Sequence, residues 1–375
     1  MERLPILQFG TSRFLQAHVD LFVGEALARG EALGPIAVVQ TTGNPQSLRR
    51  VAALAAPGGY PVRIRGMAGG QAIDDERRVT AIRRGLSAAD DWPAIREMMA
   101  ASVQVVVSNT GDRGYGLDAR DGPHQLDAAV PPRGFPAKLL VLLHGRWRRG
   151  GAPVTLYPCE LVARNGTVLR ETVTGLARAW RLDDAFTAWL HAGCIWAESL
   201  VDRIVSEPIE PAGAVAEPYA LWAIGAQPGM VLPCRHPAIV VTDRLAAFER
   251  RKLFLLNAAH TFLAGRWLRE VRRADEAVRE AMADPRLRGE LESLWLEEIL
   301  PVFDALGEGA AGRAYVDDVR ERFANPFLAH RLADIAQDHA EKKRRRLRPI
   351  VALARELGLA LPQPRLRAAL GTEEA

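Results

Sequence analysis

The sequence predicts an α/β fold with a parallel sheet in its first half and an all-α fold in its second half. Short apolar runs alternate with helical patterns up to about residue 180. Helical patterns alone follow from residue 243 onward. Strands that alternate with helices are typical of parallel sheets, because two parallel neighbours need a crossover connection.

The composition indicates an ordinary globular protein. The chain has 375 residues, of which 48% are hydrophobic and 25% charged, enough for two or three domains. Apolar runs stay shorter than the roughly 18 residues that span a bilayer, and the N-terminus has no signal-peptide pattern. The three cysteines, Cys159, Cys194 and Cys234, match neither a disulfide framework nor a zinc site. We therefore expect a cytoplasmic protein with reduced thiols and without a metal or membrane partner.

The charge is mildly basic, with a formal net charge of +4. This excess suits an anionic small molecule without requiring one. The densest basic run, "KKRRRLRP" from Lys342 to Pro349, has no interleaved aromatic residues and belongs to no nucleic-acid motif. We interpret it as the solvated face of a late helix, and we expect no nucleic-acid partner.

Four buried strands are predicted in the first half, and polar residues follow each of them. "PILQF", "IAVVQ", "VQVVVS" and "PVTLYP" are the apolar runs. In open parallel sheets, ligands bind beyond the carboxyl ends of the strands. The candidate ligand-binding residues at these ends are Gly10 to Phe14, Gln40, Ser108 to Thr110, and Glu160.

The second half is predicted to consist mainly of consecutive helices. Residues 181–205 form a helical pattern, and 207–217 form a connection rich in Pro, Glu and Ala. Helices are predicted over 243–268, 273–283, 286–305, 314–322 and 326–357. We therefore predict domains over 1–200 and 201–375.

The loop after the first strand is only a partial match to a dinucleotide-binding fingerprint. The pattern G-x-G-x-x-G begins at Gly10, but Ser12 and Leu15 occupy the other two glycine positions. The second strand ends in Gln40 rather than in an acidic residue, so NAD and NADP both stay open. A helix N-terminus could still hold a pyrophosphate. The candidate cofactor residues are Gly10, Thr11, Ser12, Arg13, Phe14, Gln40, Ser108, Asn109 and Thr110.

One helix combines an apolar face with an amine, an amide and an imidazole. The stretch "RRKLFLLNAAHT" contains Lys252, Asn257 and His260. On an ideal helix, Asn257 lies roughly 140° and His260 roughly 80° from Lys252, so all three share one arc. Buried polar groups need partners, and a substrate carbonyl or hydroxyl could supply them.

Lysine is rare in this chain, which makes Lys252 notable. Only four of the 49 basic residues are lysines: Lys138, Lys252, Lys342 and Lys343. Arginine does not lose its proton in a protein, whereas a desolvated lysine does. Ketone reduction needs a proton donor and groups that polarise the carbonyl oxygen. Lys252 could give the proton, and Asn257 and His260 could hold the oxygen, without a metal.

The pattern K-x4-N-x2-H resembles the signature of the mannitol dehydrogenase family, the polyol-specific long-chain dehydrogenases. The blocks "ILQFGTSRFLQAHVD", "VVVSNTGDRG", "PCELVARNG" and "RFANPFLAHRL" are similar to the branch that reduces keto sugar acids such as tagaturonate. The missing second glycine of the loop departs from the family pattern. The resemblance covers nearly the whole chain.

This resemblance implies a Rossmann-type dinucleotide-binding domain followed by a helical substrate domain. It implies a NAD-dependent, zinc-independent enzyme, with Lys252 as general acid/base and Asn257 and His260 on the reacting oxygen. It also implies substrate-binding positions at Glu160, Asn165, Asp202 and Lys342, the last as a candidate for the substrate carboxylate. The small-molecule partner would be a sugar acid or polyol, and the protein a monomer or homodimer.

Two alternatives stay open. The same three residues serve mannitol and mannonate dehydrogenases, so the chemistry alone does not name the sugar. The incomplete glycine pattern also fits a nucleotide-binding protein without catalysis, although the presence of Lys252, Asn257 and His260 together argues against it.

Overall fold

The computed structural model describes residues 3–42, 45–111 and 114–371, so Asp112 and Arg113 of the "VVVSNTGDRG" block lie outside the described residues. The chain forms two compact units. The first comprises Met1–Ile64, Asp75–Ala216 and Ala220–Asp243, and the second Arg65–Asp74, Glu217–Tyr219 and Arg244–Ala375. The division into domains at residues 200 and 201 stays a prediction.

The described strands are short and mostly belong to the first unit. They are β1 (Ile6–Phe9), β2 (Ile36–Gln40), β3 (Tyr60–Ala68), β4 (Gln71–Val79), β5 (Ile82–Ser87), β6 (Val105–Ser108), β7 (Val154–Pro158), β8 (Cys194–Trp196), β9 (Ser199–Asp202), β10 (Val205–Pro208), β11 (Ala214–Ala216), β12 (Leu221–Gly225) and β13 (Ile239–Thr242). The central sheet has the order β5-β2-β1-β6-β7-β8 and is parallel throughout. The predicted parallel α/β fold is thereby confirmed.

Helices separate the strands of this sheet. They are α1 (Arg13–Gln16), α2 (Val19–Ala28), α3 (Pro45–Leu54), α4 (Trp92–Ala101), α5 (Phe135–Arg148), α6 (Asn165–Ala179) and α7 (Asp184–Ala192), with a 3₁₀ turn at Pro123–Gln125. The strands β1, β2, β6 and β7 are buried at every position. Such continuous apolar runs are expected where helices cover both faces of a sheet.

The prediction of one helix over residues 181–205 is wrong beyond Gly193. The chain leaves α7 at Gly193 and forms β8, which pairs in parallel with β7. Strand β9 then pairs with β12 in a small sheet of order β13-β12-β9. Pairing with a neighbouring strand overrides weak local helical preference, and β8 buries Cys194 and Trp196 while Ile195 stays half-buried. The region 207–217 also contributes β10 and β11 to the sheet β10-β11-β3-β4.

From Leu245 onward the described elements are helical, as predicted. They are α8 (Leu245–Arg251), α9 (Ala258–Arg269), α10 (Val278–Ala283), α11 (Pro285–Ser293), α12 (Leu300–Ala305), α13 (Gly309–Phe323), α14 (Leu332–Ile335), α15 (His339–Arg346), α16 (Arg348–Glu356) and α17 (Pro364–Leu370). The helix predicted over 326–357 is divided into α14, α15 and α16. Pro349 in the first turn of α16 and the left-handed backbone of Asp338, at φ 51°, account for these breaks.

Two π-helical segments interrupt the helices of the second unit. The first π segment, Lys252–Asn257, joins α8 to α9. The second π segment, Leu294–Ile299, joins α11 to α12. π turns are rare and are found mostly inside α-helices, frequently at functional sites.

A buried ion pair holds Glu217 in the second unit. The guanidinium of Arg322 donates to the two carboxylate oxygens of Glu217 at 2.9 and 3.0 Å and lies 4.4 Å from the ring centroid of Tyr219. Both charged side chains are almost completely shielded from solvent. Within the described part of the chain, no helix has the length and apolar character needed to cross a membrane.

Candidate active site

The first π segment begins at Lys252 and ends at Asn257. The amide of Ala258 donates to the carbonyl of Leu253, five residues earlier. Because i→i+5 bonding places more residues in each turn than the 3.6 of an α-helix, each residue turns the chain by less than 100°. The angle between Lys252 and Asn257 is therefore smaller than the roughly 140° predicted for an ideal α-helix. His260 follows in the first turn of α9.

His260 is held between two rings of the same unit. Its imidazole stacks on Phe323 with centroids 4.5 Å apart, and it meets His330 edge to face at 4.8 Å. Burial lowers the pKa of His330, which favours its neutral form. Phe323 and His330 were not among the predicted site residues, although both belong to the quoted block "RFANPFLAHRL".

Trp295 of the second π segment contacts the first one. Its indole N–H donates to the carbonyl oxygen of Leu255 at 3.0 Å, and the side chain is fully buried. The indole ring lies 6.2 Å from the ring of Phe323. The sequence analysis also missed this residue, because its sequence position gives no sign of the contact.

Helix α15 presents two cations four residues apart. The amine of Lys342 donates to the carbonyl of Ile335 at 2.9 Å, and Arg346 donates to the hydroxyl of Thr261 at 3.3 Å. That hydroxyl in turn donates to the carbonyl of Asn257 at 2.9 Å. Both cations are half-buried. Arg346 is therefore linked through one side chain to the helix that contains the three predicted catalytic residues.

Burial affects the pKa of both Lys342 and Arg346. Burial, and then the charge of Arg346, lowers the pKa of Lys342. Burial, and then the charge of Arg345, lowers the pKa of Arg346. Among the described residues, neither cation forms an ion pair with a carboxylate. Arg344 on the same helix, by contrast, pairs with Glu341.

In the first unit, Gly10 and Ser12 shape the turn after β1. Gly10 has φ 112°, and a Cβ there would lie 2.4 Å from the carbonyl oxygen of Asn109. The hydroxyl of Ser12 accepts from the amide of Leu15 at 3.2 Å and donates to Oδ1 of Asn109 at 3.0 Å. The serine at the position of the second glycine therefore caps α1 and ties the turn to the end of β6.

The other predicted residues of this turn lie beside it. The carbonyl of Thr11 accepts from the amide nitrogen of Gln16 at 3.0 Å. Arg13 is exposed at the start of α1. The ring of Phe14 stacks on His18 with centroids 4.7 Å apart. The turn is thus fixed by its own hydrogen bonds.

The carboxylate of Glu160 binds residues at and after the end of β6. Its carboxylate accepts from the Ser108 hydroxyl at 3.1 Å, the Thr110 amide at 3.1 Å, the Thr110 hydroxyl at 3.0 Å and the Tyr115 hydroxyl at 3.1 Å. Only 3% of Glu160 is exposed. Burial, together with the charge of Glu160, raises the pKa of Tyr115. The structure therefore brings the predicted residues Ser108, Thr110 and Glu160 together and adds Tyr115, which the sequence analysis missed.

Asn165 is bonded to the backbone on all sides. Its amide nitrogen lies within hydrogen-bond distance of the carbonyls of Pro158, Glu160 and Ser199, and its oxygen accepts from the amides of Gly166 and Ser199. Asp202 is a buried residue at the end of β9. Their predicted contacts with substrate stay predictions.

Gln40 supplies an acceptor that suits a dinucleotide. Its amide nitrogen donates to Thr42 at 2.9 Å, whereas its buried oxygen has no hydrogen-bond donor among the described residues. A ribose hydroxyl would satisfy that oxygen. The guanidinium of half-buried Arg50 lies 3.6 Å from the carboxylate of exposed Glu210. Among the described residues, no group of three or more His, Cys, Asp or Glu side chains could hold a metal ion.

Comparison with known proteins gives consistent matches over both units. The model of the mannitol dehydrogenase Rossmann domain matches residues 4–230, and that of the mannitol dehydrogenase C-terminal domain matches residues 244–367. An altronate oxidoreductase of Halalkalibacterium halodurans is 32% identical, over 92% of this chain and 69% of the relative. An altronate oxidoreductase of Bacillus subtilis is 31% identical, over 96% of this chain and 76% of the relative.

Two solved structures share the fold. A substrate-free D-sorbitol dehydrogenase aligns with a TM-score of 0.80 at 22% identity, covering 95% of this chain and 77% of its own. Pseudomonas fluorescens mannitol 2-dehydrogenase, in a ternary complex with NAD and D-mannitol, aligns with a TM-score of 0.74 at 20% identity. The alignment covers 98% of this chain and 78% of that protein. The chain belongs to the mannitol dehydrogenase family and is an oxidoreductase acting on CH–OH groups.

Proposed function

We propose that this enzyme uses NAD to interconvert a keto sugar acid and a sugar acid, as in the reduction of tagaturonate to altronate. The main support is the first π segment, in which the angle between Lys252 and Asn257 is smaller than on an ideal α-helix, with His260 following in α9. The relatives named altronate oxidoreductase support the choice of a sugar acid.

The proposed chemistry is proton transfer combined with stabilisation of charge on oxygen. Protonated Lys252 donates to the oxygen of the ketone as that oxygen gains negative charge. Asn257 donates a hydrogen bond to the same oxygen, and His260 helps to hold it. In the oxidative direction, neutral Lys252 accepts the proton of the hydroxyl group.

Residues of the first unit would hold the nicotinamide cofactor. Gly10, Ser12 and Asn109 would shape the pyrophosphate turn, and the oxygen of Gln40 would accept from a ribose hydroxyl. When bound, the reduced cofactor supplies the hydride. Glu160 would fix the strand end at Ser108 and Thr110, and Asn165 and Asp202 are proposed to lie near the substrate.

Lys342 and Arg346 favour an acid over a neutral polyol. Charged groups that leave water are costly unless an opposite charge compensates them. Asp338 raises the pKa of Lys342 through its charge but forms no ion pair with it among the described residues. A substrate carboxylate would satisfy both cations, and Arg346 could bind it through two parallel hydrogen bonds.

A neutral polyol is the second candidate. The structural neighbours act as sorbitol and mannitol dehydrogenases by name, yet at 20–22% identity they share the fold alone. For a polyol, replacing Lys342 or Arg346 by glutamine would leave the specificity unchanged. For a sugar acid, the same replacements would weaken binding of the acid selectively.

The test is the loss of NADH absorbance with tagaturonate, fructuronate and fructose in parallel, repeated with NADPH. We expect turnover of a keto sugar acid that disappears in Lys252→Ala. Turnover of fructose alone would assign the protein to the polyol reaction. The absence of turnover on all three substrates, with NADH binding intact, would overturn the proposal and favour a nucleotide-binding protein without this catalysis.

A further inference from the structure

Both π segments have a backbone carbonyl that accepts from a distant side chain. The carbonyl of Leu255 accepts from the indole N–H of Trp295 at 3.0 Å. The carbonyl of Glu298 accepts from the amide of Gln363 at 2.9 Å. Insertion of an outside donor is one of the recognised ways in which a helix departs from regular i→i+4 bonding.

The second π segment has a cause in the sequence. Pro301, in the first turn of α12, has no amide hydrogen and cannot donate to the carbonyl of Glu297. Its ring also crowds that carbonyl, so the preceding turn widens. The amide of Leu300 then donates to the carbonyl of Trp295, five residues earlier. Pro301 therefore helps to determine where the indole of Trp295 points.

Trp295 contacts two neighbours of the predicted catalytic residues. Through its N–H it binds Leu255, in the middle of the turn between Lys252 and Asn257. Through its ring, 6.2 Å away at an angle of 44°, it neighbours Phe323, on which His260 stacks. Its side chain is fully buried, so both contacts lie in the core of the second unit.

We infer that Trp295 is a positioning residue, because its N–H stabilises the π segment that reduces the angle between Lys252 and Asn257, and its ring packs near Phe323, on which His260 stacks. This inference rests on the proposed function for its catalytic consequence. Without the hydrogen bond, the turn relaxes toward an α-helix. Lys252 and Asn257 then diverge, because each α-helical residue turns the chain by about 100°.

The test compares Trp295→Phe with Trp92→Phe. Trp92 is equally buried, and its indole nitrogen has no hydrogen-bond partner among the described residues. We expect Trp295→Phe to lower kcat by roughly 10- to 100-fold, as small misplacements of catalytic groups do, with KM for NADH unchanged. The alkaline limb of its kcat–pH profile should also move. Trp92→Phe should keep the wild-type kcat and profile.

Hydrogen exchange gives a second readout that does not need turnover. Peptides covering residues 252–260 should exchange faster in Trp295→Phe than in the wild type, and Trp92→Phe should leave them protected. Wild-type turnover together with equal kcat and equal exchange in both variants would overturn the inference alone. Absent turnover in the wild type and in Trp92→Phe would count against the proposed function, and exchange would still decide the structural part.

A different substitution covers the case in which Trp295→Phe does not fold. Pro301→Ala restores the amide hydrogen, so we expect the second π segment to regain α-helical bonding and to withdraw the indole from Leu255. Pro93→Ala, at an exposed first-turn proline of α4 in the first unit, is the control. A kcat for Pro301→Ala equal to that of Pro93→Ala would overturn the role assigned to Trp295.

Discussion

The imidazole of His260 lies parallel to the ring of Phe323 within 28°, at a centroid distance of 4.5 Å. His330 meets the same imidazole at 70°. Aromatic contacts of this kind favour particular ring orientations, so they fix where the nitrogen atoms of His260 point. A residue proposed to hold a substrate oxygen needs such a fixed orientation.

Replacing Phe323 with leucine should impair catalysis more than it impairs folding. Leucine fills most of the buried volume at a cost of about 1 kcal/mol, but it does not hold the imidazole plane. We expect kcat to fall by about tenfold. Steady-state kinetics and thermal unfolding would be compared with Phe186→Leu, a fully buried ring of the first unit. A similar kcat in the two variants would contradict the orienting role.

Lys252→Arg separates positive charge from proton transfer. Arginine keeps the charge but does not release a proton at working pH. We expect kcat to fall by roughly 10²- to 10⁴-fold, the usual contribution of a general acid. Lys343→Arg is the matched control, because the amine of Lys343 donates to the carbonyl of Leu370, away from the predicted catalytic group. A variant Lys252→Arg that retained wild-type kcat would exclude Lys252 as the proton donor.

Asp20 should make the stability of the protein depend on pH. Burial raises its pKa from 3.8 to about 7, although bonds from Tyr60 and Gln8 oppose the shift. Between these values the folded state binds more protons than the unfolded state, so stability falls as pH rises through 7. The asparagine of Asp20→Asn does not titrate. From pH 5 to pH 8, the free energy of unfolding of this variant relative to the wild type should therefore rise by roughly 2 kcal/mol.

Thermal or urea unfolding at pH 5 and pH 8 measures that difference. Asp90→Asn, on an exposed residue, is the control and should track the wild type at both pH values. A stability difference between Asp20→Asn and wild type that stays constant with pH would mean that Asp20 is already ionised at pH 5.

Glu160→Gln should loosen the segment after β6. The carboxylate accepts four hydrogen bonds. In glutamine, an NH₂ group replaces one of the two accepting oxygens, so some of these four donors would lose their acceptor. We expect a loss of about 1–3 kcal/mol in the free energy of unfolding. NADH titration by fluorescence should also show weaker binding. Tyr115→Phe removes one donor only and should have a smaller effect, so equal losses in the two variants would contradict this account.

The strands of the central sheet could be predicted because each is a buried apolar run. The strands β1, β2, β6 and β7 are buried at every position, and each has a single polar interruption: Gln8, Gln40, Ser108 and Thr155. The polar residues at their carboxyl ends follow from the parallel topology. Strand β8 was missed because its three residues continue a helical pattern, and only its pairing with β7 distinguishes it.

The π segment between Lys252 and Asn257 could not be predicted from the sequence of that helix alone. Nothing within "KLFLLN" signals a π turn, and the donor to Leu255 comes from Trp295 in another helix. The basic run after Lys342 shows a similar limit. Arg344 and Arg345 are exposed, as the interpretation of a solvated face requires, whereas Arg346 is half-buried against Thr261. The spacing of residues in the sequence shows which side chains share a helix face. Which of them are buried depends on the elements that pack against that helix.

The most direct test of the proposed function is the ratio of kcat/KM for a keto sugar acid to kcat/KM for fructose, in the wild type and in Arg346→Gln. Arg345→Gln, one residue away and exposed, serves as the control. We predict that the wild type and Arg345→Gln favour the acid, and that Arg346→Gln loses most of this preference through a higher KM for the acid. A wild type that favours fructose, or a preference unchanged in Arg346→Gln, would contradict the assignment of these cations to a substrate carboxylate.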